Sequence, residues 1–142
     1  MINEDRVLEA NEKFYDAFNK QDADLMKKVW LDDPTVICIH PGWLVLRGLD
    51  AIMPSWQEIF QGSDPLDIKL SNVEVTASLD MVWVSCQENL YLIKTSGVQT
   101  SRVHATNIFK QVDNVWRMVL HHASALPAPV PIESQMNRGR LN

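Results

Sequence analysis

Three polar side chains occur where the sequence predicts strands or a strand end: His40, Glu88 and Asn107. A histidine exchanges protons near neutral pH, and a carboxylate at an inward strand position is seldom retained for stability. Burying an imidazole or an amide without a partner costs roughly 1–3 kcal/mol. These residues therefore indicate a pocket, and without a cofactor the chemistry they could serve is proton transfer: isomerisation, cyclisation or dehydration.

The stretch Arg102–Ser124 predicts two paired antiparallel strands, because two β-rich runs flank the short polar connection Val112–Asn114. Alternation along the first strand places Asn107 on an apolar face with Val103, Ala105 and Phe109. On the second strand, it predicts an inward set and an outward set. The inward set is Trp116, Met118, Leu120, His122 and Ser124, and the outward set is Arg117, Val119, His121 and Ala123.

Glu88 lies in the run Met81–Ile93, where alternation turns it inward together with Val82, Val84 and Cys86. Two other interpretations remain open for this carboxylate. It could form an internal pair with a histidine, or a register slip of one residue could turn it outward.

Length and charge limit the classes of function. A chain of 142 residues is the size of one domain, and a net charge of −5 without any run of Lys or Arg disfavours nucleic-acid and membrane surfaces. The beginning of the chain is charged, and no run approaches the ~20 apolar residues that a membrane span needs. Cys38 and Cys86 lie in apolar runs, as reduced thiols do, so we expect a cytoplasmic protein.

Helical and alternating patterns divide the chain into two parts. The first part predicts two helices, a strand with a short returning strand, and a third helix that Gly62 ends, with Pro54 in the first turn of the main helix after a looser turn over Leu49–Met53. The segments are Glu4–Lys20, Asp22–Leu31, Thr35–Ile39 and Leu44–Arg47. The second part predicts a four-strand meander. Its strands are Leu66–Ala77, Met81–Ile93, Gln99–Gln111 and Val115–Leu126. This is an α+β plan in which residues 1–127 form the domain and residues 128–142 form a Pro-rich tail.

The order of elements and several motifs resemble the SnoaL-like domains of the nuclear transport factor two-like superfamily over Arg6 to Pro127. The motifs are Ile39-His40-Pro41-Gly42-Trp43, Arg47-Gly48, Ser55-Trp56 with Ile59-Phe60, Glu88, and Ala105-Thr106-Asn107-Ile108-Phe109. The resemblance implies a cone-shaped α+β barrel, with three helices packed in the concave face of a strongly curved, mostly antiparallel sheet. The last two strands are also similar to the association domain of calcium/calmodulin-dependent protein kinase two, which assembles subunits.

Among relatives, ketosteroid isomerase carries its general base just before a proline after the first strand, and His40 before Pro41 matches that place. Where that enzyme has an oxyanion-stabilising tyrosine, this chain has Phe14, with Tyr15 pointing about 100° away around the helix. Steroid isomerisation is therefore disfavoured.

We accordingly predict an apolar pocket for a small hydrophobic ligand, with no cofactor and no metal ion. His40 is the candidate base, Glu88 orients it or acts as a second acid/base group, and Asn107 and His122 donate hydrogen bonds to the ligand. Asn107 could instead be a satisfied core amide. Tyr15, Trp43 and Trp56 are the other expected ligand contacts. A metal site built from His40, Glu88 and His122 is a minor alternative.

The outward face of the meander predicts a homodimer, because its apolar residues would otherwise be exposed. These residues are Trp83, Thr106, Ile108, Val119 and Ala123. The alternative function is thus a non-catalytic oligomerisation module. The direction of the His40 pKa shift is open, since a nearby ionised Glu88 would raise this pKa and burial would lower it.

Overall fold

The computed structural model describes residues 3–62 and 64–127. Three helices, α1 (Glu4–Asn19), α2 (Ala23–Val29) and α3 (Leu49–Gln61), pack against one six-stranded sheet. The strands are β1 (Ile37–Ile39), β2 (Leu46–Arg47), β3 (Leu66–Ala77), β4 (Met81–Lys94), β5 (Gly97–Val112) and β6 (Val115–Ala125). The predicted α+β architecture, with helices in the concave face of a curved and mostly antiparallel sheet, is confirmed.

The sheet has the order β2-β1-β6-β5-β4-β3, and β1 pairs with β6 in the parallel sense while every other pair is antiparallel. The β5–β6 hairpin turns through Asp113 and Asn114, both with positive φ, as a two-residue hairpin with right-handed strand twist requires. Asn19 joins α1 to the sheet edge, because its side chain bonds both the N–H and the carbonyl of Ile68.

Two of the helices begin where the sequence provides a side-chain cap. The Asn3 side chain accepts from the Asp5 N–H at the start of α1, and the Asp22 side chain accepts from the Leu25 N–H at the start of α2. The predicted late start of the third helix is wrong. α3 begins at Leu49, and Pro54 lies inside it, because the first turn is packed into the core through Ile52 and does not remain loose.

A register shift in the β5–β6 pair reverses the predicted orientation of the end of β6. Phe109 pairs with Met118 but Ile108 pairs with Leu120, so Val119 is an extra residue on β6. Beyond this bulge the alternation is inverted. His121 and Ala123 are therefore buried and His122 is exposed, opposite to the prediction for all three. The prediction that Ala123 lies on the outer face is wrong for the same reason.

Within the described ranges, no helix has the length and apolar character needed to cross a membrane. Both cysteines in those ranges are free and buried. The predicted Pro-rich tail, residues 128–142, lies outside the described residues.

Candidate functional site

The curved sheet and the helices enclose a cavity of about 240 Å³ at the end of the sheet where β1 and β6 finish. The site is lined mainly by aromatic and aliphatic side chains, with three ionisable groups among them: His40, Glu88 and His121. The apolar lining consists of Phe14, Phe18, Pro41, Trp43, Trp56, Ile59, Leu66, Ile68, Leu90, Val103 and Ala123. An apolar wall with a few convergent polar groups is the usual character of a small-molecule site.

Glu88 faces the cavity from β4, as its alternation with Val84 and Cys86 predicts. Its Oε2 accepts a hydrogen bond of 2.6 Å from the Tyr15 hydroxyl of α1. Its other oxygen, Oε1, makes no hydrogen bond with any residue in the described ranges. Burial raises the pKa of Glu88 to about 7, and the bond from Tyr15 opposes this rise. Glu88 therefore exchanges its proton near neutral pH.

Tyr15 connects Glu88 to a second buried group. The Tyr15 hydroxyl donates to Glu88, so its lone pair accepts from Asn107 Nδ2 at 3.0 Å. Asn107 Nδ2 also donates to Asn11 Oδ1 at 2.9 Å, and Asn107 Oδ1 pairs with His121 Nδ1 at 2.6 Å. Asn107 is fully buried and all its hydrogen bonds are made within the protein. Of the two predicted roles, the satisfied amide is therefore the one this geometry fits.

The Tyr15 pKa is raised well above its ordinary value, first by burial and then by the charge of Glu88. Tyr15 consequently stays protonated and remains a donor. Phe14 and Tyr15 point in different directions around α1, as predicted, and both are buried. Phe14 lines the cavity, whereas the Tyr15 hydroxyl lies outside the lining and contacts Glu88 of β4. The Cys86 thiol lies 3.4 Å from the Tyr15 hydroxyl, and burial raises the pKa of Cys86 to about 11.

His40 is positioned by the turn that follows β1. The Trp43 N–H donates to the His40 carbonyl at 2.9 Å, and Gly42 between them has a φ of 80°, so Pro41 and Gly42 form the centre of a tight turn that needs glycine at this position. The turn brings the His40 and Trp43 rings edge to face, 4.8 Å apart. Trp43 is 39% exposed and thus lies at the cavity mouth.

The His40 ring is held by α3 and not by Glu88. Its Nε2 lies 2.8 Å from Ser55 Oγ, and Ser55 donates its only hydroxyl proton to the Ile52 carbonyl. His40 Nε2 must therefore carry a proton and donate to Ser55. Burial lowers the pKa of His40 to about 4, which decides the direction that the sequence left open. The predicted pairing of His40 with Glu88 is absent within the described residues.

His121 occupies the position expected for His122. Burial, followed by the neighbouring His40 and His122, lowers the pKa of His121 to about 3. No sequence signal points to His121, because the bulge at Val119 is not visible in a pattern of alternation. With His122 on the outer face, the alternative metal site of His40, Glu88 and His122 is ruled out. Residues 3–62 and 64–127 contain no cluster of three metal-binding side chains.

A larger groove of about 810 Å³ lies on the outside, between α1, α2 and the β5–β6 turn. Arg6, Lys13 and Arg117 border it together with Glu9 and Asp16. These charges are exposed except for the half-buried Arg117, and no fully buried charged side chain lines the groove. We therefore assign the candidate site to the smaller inner cavity.

Comparison with known proteins gives one family and several similar chains. The family model for the SnoaL-like domain matches residues 7–129. A solved structure of a candidate dehydratase of the NTF2-like family from Streptomyces avermitilis is 29% identical, with a TM-score of 0.81, over 87% of this chain and 97% of that chain. A candidate calcium/calmodulin-dependent protein kinase type II association domain from Thiobacillus denitrificans is 33% identical, with a TM-score of 0.76, over 83% and 93%.

A curated relative is the F-box protein SKIP8 of Arabidopsis thaliana, which is 26% identical over 120 residues. The match covers 84% of this chain and 49% of that protein. The chain thus spans about half the length of the curated relative.

Proposed function

Because this chain belongs to the SnoaL-like domain family, we propose that its inner cavity binds a small apolar molecule and that Glu88 transfers a proton to or from it. The reaction would be a cofactor-independent dehydration, cyclisation or isomerisation. The similarity to a candidate dehydratase of the NTF2-like family supports the first of these. The two free, buried cysteines favour a cytoplasmic location, which belongs to the same proposal.

One observation carries the proposal: Glu88 is a buried carboxyl group with one oxygen fixed by Tyr15 and the other free beside the cavity. A general base works best when its pKa is close to the working pH, and the Glu88 pKa of about 7 meets this condition. The His40 pKa of about 4 makes its imidazole a much weaker base. We therefore propose Glu88 as the base in place of His40.

Cavity size limits the substrate. A volume of about 240 Å³ exceeds the ~150 Å³ cavity that holds benzene, but it is below the range of ~300–1,000 Å³ that accommodates drug-sized ligands. A single substituted ring or a small bicyclic compound fits. A steroid does not.

Benzisoxazole provides a test that needs no knowledge of the natural substrate. It is a small bicyclic compound whose N–O bond breaks when a base removes its ring C–H proton, giving an absorbing phenolate. We expect ring opening that increases with pH around a midpoint near the Glu88 pKa of about 7. Glu88→Gln should reduce the rate at least about a hundredfold, the usual contribution of a positioned base.

His40→Asn is the matched control, because it removes the other candidate base and should leave the midpoint near 7. Ala123→Leu fills the cavity and should abolish ring opening while Glu88 remains. If the rate instead rises around a midpoint near pH 4, and this midpoint disappears in His40→Asn, then His40 and not Glu88 is the base. A rate equal to that of free acetate in all variants would exclude general-base catalysis in this cavity.

A second candidate function is subunit assembly, which a specific surface favours. A row of apolar side chains crosses the outer face of the sheet, formed by Ile37, Leu120, Ile108 and Trp83 on adjacent strands in register. Trp83 is 38% exposed. The 33% identical relative is a candidate association domain, so we propose that this row joins two copies of the chain as a homodimer.

A further inference from the structure

Glu88 contributes an acceptor to the cavity whenever it is ionised. Tyr15 occupies Oε2, which leaves Oε1 for a ligand. The residues that line the cavity include no Lys and no Arg. An ionised Glu88 thus has no positive partner among the described residues of its own site.

His121 contributes a second acceptor, and the hydrogen-bond chain behind it fixes this role. Asn107 uses its Nδ2 protons on Asn11 and Tyr15, so Asn107 Oδ1 must accept from His121 Nδ1. The proton of the neutral His121 ring is therefore on Nδ1, and Nε2 has a free lone pair. Nε2 makes no hydrogen bond with any residue of the described ranges.

His40 contributes a third acceptor for the same kind of reason. Its ring proton is on Nε2, which donates to Ser55, so Nδ1 has the lone pair. The Cys38 sulfur lies 4.0 Å from Nδ1, which is at the outer limit for a hydrogen bond to sulfur. Trp56 has an N–H without a partner in the described part of the chain, but this nitrogen is itself buried and does not reach the cavity space.

While Glu88 is ionised, the free polar atoms in the interior of the cavity are thus a carboxylate oxygen and two imidazole nitrogens, all of them acceptors, and Trp43 adds an indole N–H at the mouth. We infer, on the basis of the proposed function, that the ligand is an amine on a small apolar body, bound as its ammonium form with the ammonium against Glu88. Beside an ionised Glu88, a carbonyl or carboxylate in the cavity interior would meet acceptors, and only a protonated Glu88 would donate to it. An ammonium group donates up to three hydrogen bonds and supplies the positive charge that the site lacks.

The aromatic walls suit the same ligand. Phe14, Phe18, Trp43 and Trp56 line the cavity, and a cation within about 6 Å of an aromatic face is stabilised by the ring quadrupole. An alkylamine keeps its proton at neutral pH, because its pKa is close to the ~10.4 of lysine. The ammonium group therefore arrives charged, and Glu88 needs to lose its proton to pair with it.

The other groups that face Glu88 do not change this proton balance near neutral pH. One titratable group comes from each of α1, β1, the turn after β1, β4 and β6. The residues of β3, β5 and α3 that line the cavity are not titratable. The titratable ones are Tyr15, Cys38, His40, Cys86 and His121. Burial raises the pKa of the tyrosine and of both cysteines and lowers that of both histidines, so all five are neutral around pH 7.

Four compounds with the same ring and different polar groups test the inference: benzylamine, benzyl alcohol, benzaldehyde and benzoate. At pH 8, calorimetry should show benzylamine binding at least about tenfold more tightly than benzyl alcohol, and benzoate should not bind. Lowering the pH below about 7 should weaken benzylamine roughly tenfold per pH unit as Glu88 is protonated. The affinity of benzyl alcohol should change much less.

Proton release provides an independent readout. At pH 7, Glu88 is about half protonated, so benzylamine binding should release roughly half a proton, measured by calorimetry in buffers of different ionisation enthalpy. Glu88→Gln should abolish this release and the preference for the amine while benzyl alcohol still binds. Glu74→Gln, which removes an exposed carboxylate from the outer face, is the matched control and should change neither.

Equal or tighter binding of the alcohol, the aldehyde or benzoate at pH 8 would overturn the inference, and so would the absence of benzylamine binding at millimolar concentration. The proposed function can survive that result, because benzisoxazole ring opening by Glu88 is measured separately. Conversely, amine binding with proton release but without ring opening would retain the ligand class and remove the proton transfer to substrate.

Discussion

Two asparagines on opposite faces of the same sheet make three hydrogen bonds each. Asn107 on the inner face bonds Asn11, Tyr15 and His121, and is fully buried. On the outer face, Asn89 bonds Gln87, Ser71 and the Lys69 carbonyl, and is half-buried. Water can replace a lost partner outside but not inside. Three hydrogen bonds therefore contribute little to stability on the outer face, whereas on the inner face the same number holds the side chains of the site in place.

The largest expected difference between the faces is in stability. Asn107→Ala leaves the Asn11 side-chain oxygen and His121 Nδ1 without partners, each costing about 1–3 kcal/mol, and it removes one of the hydrogen bonds of Tyr15, so we expect a loss of about 3–5 kcal/mol in the free energy of unfolding. Asn89→Ala should cost less than about 1 kcal/mol. Urea denaturation of both variants measures this contrast, and equal losses would show that the inner network is no more important than the outer one.

The inner face should also make stability depend on pH in a specific direction. The folded state holds the Glu88 proton up to a pKa of about 7 instead of its ordinary 4.5, so its contribution is full below about 4.5 and is lost as pH rises to 7 and above. This amounts to roughly 3 kcal/mol. His40 and His121 act in the opposite sense, since their lowered pKa values favour folding above about 6.5 and this contribution is lost as the pH falls towards 4 and 3.

Stability should thus be greatest near pH 6.5–7, where the two opposing contributions meet. Glu88→Gln keeps an acceptor for Tyr15 and should be more stable than the natural protein at pH 8, because it removes the loss of stability that ionisation of Glu88 causes between about pH 4.5 and 7. The outer-face variant Glu74→Gln should leave the profile unchanged. Thermal denaturation between pH 4 and pH 9 provides the measurement, and a large loss of stability in Glu88→Gln at pH 8 would mean that the carboxylate is structural.

The outer face is expected to act through association. Ile108→Asp places a charge in the apolar row beside Trp83 and Leu120, and should weaken the proposed homodimer at least about a hundredfold while leaving the cavity intact. Gln87→Glu introduces the same charge on the outer face away from this row and should leave the dimer unchanged. Sedimentation velocity distinguishes the two. A natural protein that is monomeric at micromolar concentration would exclude the dimer.

The smallest expected effect is a change in the Glu88 pKa, which should follow loss of the inner Tyr15 hydroxyl but not of the outer Tyr91 hydroxyl. Tyr15→Phe removes the hydrogen bond that lowers the Glu88 pKa, so this pKa should rise further above its ordinary value. Tyr91→Phe, on the outer face beside Lys69, should not move the Glu88 pKa. NMR titration of the carboxyl carbon of Glu88 measures both. No rise in Tyr15→Phe would mean that the hydroxyl does not donate to Glu88 in solution.

Local pattern was enough to predict much of this protein. Helix caps and turn residues mark the ends of most elements because they act within three or four positions of the chain, and the period of two turned Glu88 and Asn107 inward. The meander strands and the α+β class follow from the same signals, and the family resemblance was carried by the motifs Ile39–Trp43 and Ala105–Phe109 with others. His40 is predicted from its place before Pro41 at the end of the first strand, and the Pro-Gly turn joins it to Trp43.

Tertiary structure decided which groups are placed for the proposed chemistry. The bulge at Val119 turns His121 inward in place of His122. The position of this bulge depends on how β6 pairs with β5 and β1, and the alternation of β6 itself does not reveal it. The Tyr15 hydroxyl donates to Glu88, 73 residues away in the chain, and Ser55 accepts a hydrogen bond from His40, 15 residues away. The pKa values that favour Glu88 over His40 as the base follow from desolvation, which depends on everything packed around a group and so is not encoded near it in the sequence.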